Sequence, residues 1–292
     1  LRTLRELDCS YSLAGVGRFR VNVCSQRGSI AIVLRTIADA APTFEQLGLP
    51  PVLAEIASEE RGLVLLTGTT GSGKSSTLAA IVDYINRRRH KKIITIEDPI
   101  EFLHRDVKSN VMQRELGGDT DSFETALRAA LRQDPDIIMI GEMRDRATID
   151  IGLKAAETGH LVLSTVHTTD APRTIARLVA VFDAYEQPVV RQRLSESLRA
   201  VVSQRLFPRA DDNGRVLATE IMRNNGAIED CIADPEKTSG IRDLLAAGRE
   251  QYGTQTFDQH LMELYKGGLI TLEVAKAGAT IPADFERNLQ FQ

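Results

Sequence analysis

Leu63-Val64-Leu65-Leu66-Thr67-Gly68-Thr69-Thr70-Gly71-Ser72-Gly73-Lys74-Ser75-Ser76 is the stretch on which the reading of the whole chain turns. Gly68 to Ser75 satisfies the pattern G-x-x-x-x-G-K-[ST] in full. The apolar run before it reads as a strand. After it, Leu78, Ile81, Val82 and Ile85 recur at i, i+3, i+4 and i+7, one stripe of a helix. A glycine-rich turn between strand and helix lets successive backbone N–H groups converge, and the helix N-terminus adds the positive end of its dipole. Such a turn cradles phosphate oxygens. The pattern assigns Lys74 to the β- and γ-phosphates of a nucleotide and the Ser75 hydroxyl to a Mg²⁺ ion. Gly68, Thr69, Thr70, Gly71, Ser72, Gly73, Lys74, Ser75 and Ser76 are the candidate binding set.

Outward from this turn, the apolar runs Leu63 to Leu66, Ile93 to Ile96, Ile137 to Ile140 and Leu161 to Val166 alternate with helical sequence. Strands apolar on both faces belong to a largely parallel sheet covered by helices on both sides, an α/β fold. Phe123, Ala126, Leu127 and Ala130 mark a further helix, and Asp170 before Pro172 is a natural N-cap.

The strand-like runs end in chemistry. Ile94-Thr95-Ile96-Glu97-Asp98-Pro99-Ile100-Glu101 closes on three carboxylates, a clustering that needs a cation or a task to offset the repulsion. One of them is a candidate to polarise the water that attacks a γ-phosphate; a solvated acidic turn is the other reading. Ile137 to Glu142 carries Gly141 where many phosphate-loop proteins carry Asp, so Glu142 is expected to reach Mg²⁺ through water. His167 follows the run Leu161 to Val166 at its C-terminal end, where ligands of open α/β sheets gather. It reads as a sensor of γ-phosphate or water, whereas His160 at the other end reads as structural or interfacial. The basic run Arg87 to Lys92 has no interleaved aromatics and closes a helix, where cations complement the dipole.

Residues Leu13 to Ile37 read as short strands and a turn, and Ala38 to Pro51, with Pro42, Pro50 and Pro51, as a linker with a short helical patch. The units are then 1–40, a linker over 41–50, and 51–292, whose residues 225–292 form a helical C-terminal portion. Beyond Gln187 the pattern predicts mainly helix: one from Val190 to Leu206, striped by Val190, Leu194, Leu198 and Val201, and one carrying Phe257, Leu261 and Leu264. A strand is expected at Val216 to Met222.

Composition narrows the field. The 292 residues fit about two domains. Thirty-six Lys and Arg against 40 Asp and Glu leave a net charge of −4, which argues against a broad nucleic-acid footprint. No run approaches the roughly 18 apolar residues of a membrane span. Cys9, Cys24 and Cys231 are too scattered for a disulfide framework or a metal pair, and a reducing cytoplasm fits. The [NT]KxD motif that reads guanine does not occur, which disfavours a GTPase switch.

In this order the elements resemble the type II/IV secretion-superfamily ATPases, and within them the type IV pilus retraction motors of the PilT type. Ile94 to Phe102 is similar to the family's acidic "Asp box". Asp134-Pro135-Asp136 through Glu142-Met143-Arg144 is similar to its "Walker B" box, and Ala155 to Leu161 with His167-Thr168-Thr169 to its "His box". The resemblance implies a RecA-like P-loop ATPase core with a partial N-terminal PAS-like α+β domain, of which roughly the first half is absent, and a helical C-terminal region. It implies Glu101 as general base, Glu142 as organiser of the Mg²⁺ water shell and His167 as γ-phosphate sensor. Arg18, Arg20 and Arg35 are the candidates for arginines given in trans to bound ATP. It further implies a homo-hexameric ring that turns ATP-driven domain rotation into force, with the linker absorbing the motion. An inner-membrane platform protein would receive that force, with the chain cytoplasmic and peripheral to that membrane.

Two features bear on the direction of work. Assembly-type relatives carry a four-cysteine zinc site that three scattered cysteines cannot build. Retraction motors often carry Ala-Ile-Arg-Asn-Leu-Ile-Arg, where this chain has Ala227-Ile228-Glu229-Asp230-Cys231-Ile232-Ala233. A secretion, pilus-extension or conjugation traffic ATPase of the same superfamily is the alternative. A third reading is an ATP-gated interaction protein with little hydrolysis.

Overall fold

The computed structural model describes residues 5–290. Residues 1–4 and 291–292, the outer ends of the first and last expected units, lie outside the described residues. Strands β1 (Glu6–Leu13), β2 (Gly17–Gln26) and β3 (Ser29–Ile37) form an antiparallel meander. It begins earlier than the stretch from Leu13 read as strands. Arg27 and Gly28, with φ of 47° and 78°, make the two-residue turn that the strand twist favours. The register sets Arg20 opposite Arg35.

Helix α1 (Phe44–Leu47) opens on Thr43, whose hydroxyl accepts from the Gln46 amide in a capping box, and stops at Gly48 in the left-handed region. Phe44 stacks on Tyr84 with ring centroids 4.7 Å apart. The proline-rich segment is thus held against the main body.

That body runs through α2 (Val52–Ile56), β4 (Gly62–Thr67), α3 (Lys74–Arg88), β5 (Lys92–Glu97), β6 (Asn110–Glu115) and α4 (Phe123–Ala130). It continues through β7 (Ile137–Ile140), α5 (Arg146–Glu157), β8 (Leu161–Val166), α6 (Ala171–Ala180), α7 (Gln187–Ser197), β9 (Leu198–Pro208) and β10 (Arg215–Arg223). The sheet order is β10-β9-β4-β8-β7-β5-β6, and every pairing is parallel except β10 with β9. All six residues of β4 are buried. Leu63 and Leu65 face one layer, with α4 to α7; Val64 and Leu66 face the other, with α2 and α3. This is the period-two alternation of a strand covered on both sides. Each such side chain contributes roughly 1.5–3 kcal/mol by burial.

One expectation is corrected. The helix read from Val190 to Leu206 ends at Ser197, and Leu198–Pro208 is strand β9, lying between β4 and β10. The stripe Val190, Leu194, Leu198, Val201 has helical spacing, but Ala200 and Val202 between and beside its members are buried too. Leu198 and Val201 pack on one face of the sheet and Ala200 and Val202 on the other. A segment apolar on both sides, with adjacent β-branched valines, suits a central strand better than a one-sided helix. The polar edge strand β6 also escaped the hydropathy pattern. The expected strand at Val216 to Met222 is β10.

The C-terminal portion holds α8 (Gly226–Ala233), α9 (Ile241–Ala247), α10 (Arg249–Tyr252), α11 (Phe257–Lys266), α12 (Leu272–Gly278) and α13 (Pro282–Gln290). Helix α11 starts at a Thr256 capping box and buries the expected Phe257, Leu261 and Leu264 against Ala218 of β10.

Candidate nucleotide site

Between β4 and α3 the backbone turns through Gly68, Gly71 and Gly73 at φ of 144°, 79° and 92°. Gly68 is required twice over, because a Cβ there would meet Ser72 Oγ and lie 2.6 Å from Gln204 O. Gly73 is the N-cap of α3, so the 15-residue helix aims its N-terminus into the loop. Lys74 is buried, and its Nζ donates to Gly68 O and Thr69 O, both at 2.9 Å. Burial lowers its pKa, while the charges of Glu142 and Glu101 oppose that shift. Ser72 Oγ is buried with no hydrogen-bond partner among the described residues. This hydroxyl lies against Gly68, and Ser72, although in the candidate set, is not among the residues that line the cavity.

The loop forms one wall of a cavity of about 560 Å³, a size typical of small-molecule sites. Thr70, Gly71, Gly73, Lys74, Ser75 and Ser76 line it from the loop side, whereas Gly68 and Thr69 form the loop's back and receive the lysine. Opposite stand the ends of β5, β7 and β8, carrying Glu97, Asp98, Glu101, Glu142 and His167. Parallel strands all point their C-terminal ends to one edge, so acids far apart in sequence meet there.

The three carboxylates after β5 have different settings. Glu97 is buried and accepts from Thr95 Oγ1 (2.7 Å) and Gln113 Nε2 (3.1 Å), and burial pushes its pKa up. Asp98 and Glu101 are exposed on the cavity wall. At the end of β7, Gly141 lies against β5, its N–H donating to Ile96 O; a Cβ there would stand 3.3 Å from that oxygen. A longer side chain would have to push β5 aside. The next residue, Glu142, pairs with Arg144 and lies 3.5 Å from His167 Nε2. The His167 pKa is lowered by burial and then by the Lys74 charge, with Glu142 acting against both. For a divalent cation the donors are the Ser75 hydroxyl on the loop side and the carboxylates opposite it, hard oxygens of the kind Mg²⁺ takes beside substrate phosphates; they fit that ion.

The arginine candidates fall in three different places. Arg35 on β3 lines the cavity. Arg20, its cross-strand partner, is exposed. Arg18 forms an ion pair with Glu115 of β6 at 3.1 Å. His160 lies at the opposite end of β8, its Nδ1 3.0 Å from Ala155 O. The basic run is engaged locally: Arg87 with Asp83, Arg88 over the Tyr84 ring, Arg89 and Lys91 with Glu60. His104, Phe123, Arg144 and Arg215 also line the cavity, although the sequence pattern does not mark them as site residues. Arg144 lies at the end of the Walker B-like box, next but one to Glu142. Arg215 opens a strand more than a hundred residues from the loop and carries no local signal.

Residues 14–273 match the family described as type II/IV secretion system protein. The chain is 49% identical over 274 residues to the twitching motility protein of Neisseria gonorrhoeae, covering 94% of this chain and 73% of that one. It is 49% identical over 280 residues to the type IV pilus retraction ATPase PilT of Pseudomonas aeruginosa, covering 96% and 80%. A crystal structure of the pilus retraction motor PilT with bound ADP superposes with a TM-score of 0.89 at 47% identity, over 98% of this chain and 81% of that one. The ATPase DotB of Legionella pneumophila superposes at 0.81 with 32% identity, over 94% and 78%. With a phosphate loop, strand-end acids and histidine on one cavity, and likeness along nearly its whole length, the chain belongs to the type II/IV secretion system protein family.

Proposed function

We propose that this chain hydrolyses ATP and works as a pilus retraction motor. The observation that carries the reading is a single cavity in which Lys74, folded under a glycine-rich loop, faces Glu101, Glu142 and His167. The PilT relative with bound ADP supports the choice of nucleotide. In this reading Glu101 takes a proton from a water as its oxygen bonds to the γ-phosphorus, while the bond to the ADP oxygen breaks and ADP leaves with inorganic phosphate. Loop amides and Lys74 hold the phosphates, and His167 lies near the γ-phosphate. Ser75 and Glu142 are the residues that would hold Mg²⁺, which when bound would offset charge on the β- and γ-phosphate oxygens. Arg35 and Arg20 supply positive charge from the N-terminal sheet.

The work then comes from rotation of the unit over residues 1–40 against that over 51–292, with 41–50 as hinge. Six copies form a ring, held at the inner membrane by a platform protein. No helix among the described residues is long and apolar enough to cross a membrane. A second reading, a traffic ATPase of a secretion system, is favoured by the family's description as type II/IV secretion system protein and by Glu229, Asp230 and Ala233 in place of the retraction motif. Deletion of the gene followed by imaging separates the two. Excess, immobile pili support retraction; unchanged pili with lost secretion support the second reading. Absence of ATP turnover in the purified protein would remove both and leave an ATP-gated interaction protein.

A further inference from the structure

The segment that carries Glu101 is tied to the N-terminal sheet. Glu115, the last residue of β6, is only 5% exposed. Its Oε2 accepts from the amide of Ile100, the residue before Glu101, at 3.1 Å, and from Arg18 Nη2 of β2, also at 3.1 Å. Its Oε1 accepts from Ser10 Oγ of β1. Just past Glu101, Leu103 N donates to Ala38 O, one residue beyond β3. Gln113, two residues before Glu115 on β6, holds Phe102 O and His104 N from the ATPase side. Residues 100–104 are therefore fastened partly by the body and partly by groups that move with the N-terminal sheet.

Glu115 is where the two meet. A carboxylate this buried stays in place only while its donors are present. Two of its three donors, Ser10 and Arg18, belong to the sheet. Were the sheet to swing away, Glu115 would be left with one amide and would turn toward solvent, freeing Ile100. We propose that Glu115 is a positioning residue for hydrolysis, which holds the Glu101 segment through the Ile100 amide while Arg18 and Ser10 of the same chain clamp it. Arg18 then acts within its own chain rather than on a neighbour's nucleotide. Rotation of the N-terminal sheet thereby arms or disarms the base. This inference rests on the reading of Glu101 as general base.

The test compares Glu115→Ala, Glu115→Gln, Arg18→Ala and Arg18→Lys with the parent and Glu101→Gln, by steady-state ATP hydrolysis and by titration with a fluorescent ATP analogue. Displacing a base by about an ångström costs on the order of 10- to 100-fold. Glu115→Ala and Arg18→Ala should lose that much kcat, with KM and analogue affinity little changed. Glu115→Gln, which keeps an acceptor for Ile100, and Arg18→Lys, which keeps the charge, should recover part of it. Melting curves check folding, and should the alanine variant not fold, the isosteric Glu115→Gln decides the matter: a kcat below the parent's supports the proposal, and parental turnover overturns it. Mixed oligomers of Arg18→Ala and Glu101→Gln subunits should stay inactive if Arg18 acts within its chain. Restored activity in the mixture, parental kcat in Glu115→Ala, or analogue affinity that falls in step with kcat would each overturn the proposal. If Glu101→Gln itself turned over like the parent, the functional reading would fail and this inference with it.

Discussion

His167 Nε2 stands 3.5 Å from Glu142 Oε2, across the ends of two neighbouring strands. In the proposed function the pair would join the organiser of a cation's water shell, Glu142, to the sensor of the γ-phosphate, His167. Burial and the Lys74 charge hold the His167 pKa below its ordinary value, so the imidazole is neutral at physiological pH. A neutral ring can donate through one nitrogen and accept through the other. The pH–rate profiles of the parent and His167→Gln should therefore run parallel above about pH 6.5, the ordinary histidine pKa, and diverge only below it. Divergence between pH 7 and 8 would show that the ring titrates in the working range, against this account.

Lys74 and Glu101 face one cavity with different tasks, and substitution should separate them. Lys74→Ala removes the cation that closes the loop and should abolish binding of a fluorescent ATP analogue. Glu101→Gln leaves the loop intact, so analogue binding should persist while hydrolysis falls by about 10²- to 10⁴-fold, the usual contribution of a general base. Equal turnover in Glu101→Gln and the parent would take Glu101 out of that role.

The two halves of the site differ in how legible they are from sequence. Strands β4, β5, β7 and β8 are apolar on both faces, and each points its C-terminal end at the cavity. Glu142, His167 and one acid among Glu97, Asp98 and Glu101 could therefore be proposed from position alone, whereas the choice of Glu101 among the three rests on the family resemblance. Strand β9 could not, because its identity depends on β4 and β10 lying on either side, and Leu198 and Val201 extend a helical stripe into it. Glu115 carried no local signal at all: it sits in a polar edge strand, and its partner Ser10 is 105 residues away. Arg18 and Arg35 look alike in sequence, as basic residues on adjacent strands. Only the packing of the meander against the body sends one to Glu115 and the other to the cavity wall.

Glu220 on β10 is buried beneath the start of α6, where it accepts from the Ala171 amide at 2.9 Å. Burial pushes its carboxyl up to about 7; the Asp170 charge adds to this, and the Ala171 amide, Arg205 and Arg242 oppose it. In the unfolded chain the same group titrates near 4.3. Between those values the folded state holds a proton that the unfolded state has lost, so stability from this residue is full in acid and declines as pH rises through about 7. Glu220→Gln, which keeps the acceptor without the charge, should be more stable than the parent at pH 8, by at most on the order of 4 kcal/mol. The difference should shrink toward pH 5. Urea titrations at the two pH values measure it, and a larger gain at pH 5 than at pH 8 would contradict the argument.

Gly68 and Gly71 belong to one loop and both have positive φ, yet they should respond differently to alanine. At Gly71 nothing lies within 4 Å of an added Cβ, so only the backbone conformation resists, at roughly 1–2 kcal/mol. At Gly68, where φ is 144°, the backbone penalty is joined by Ser72 Oγ and the Gln204 carbonyl, the latter at 2.6 Å. Ser72 belongs to the loop itself, and Gln204 belongs to β9, the strand beside β4. Neither can yield without moving loop or sheet. Gly68→Ala should consequently melt at a lower temperature than Gly71→Ala and lose the ATP analogue outright, whereas Gly71→Ala should keep measurable affinity. Parental affinity in Gly68→Ala would mean that the loop has slack which this close packing does not allow.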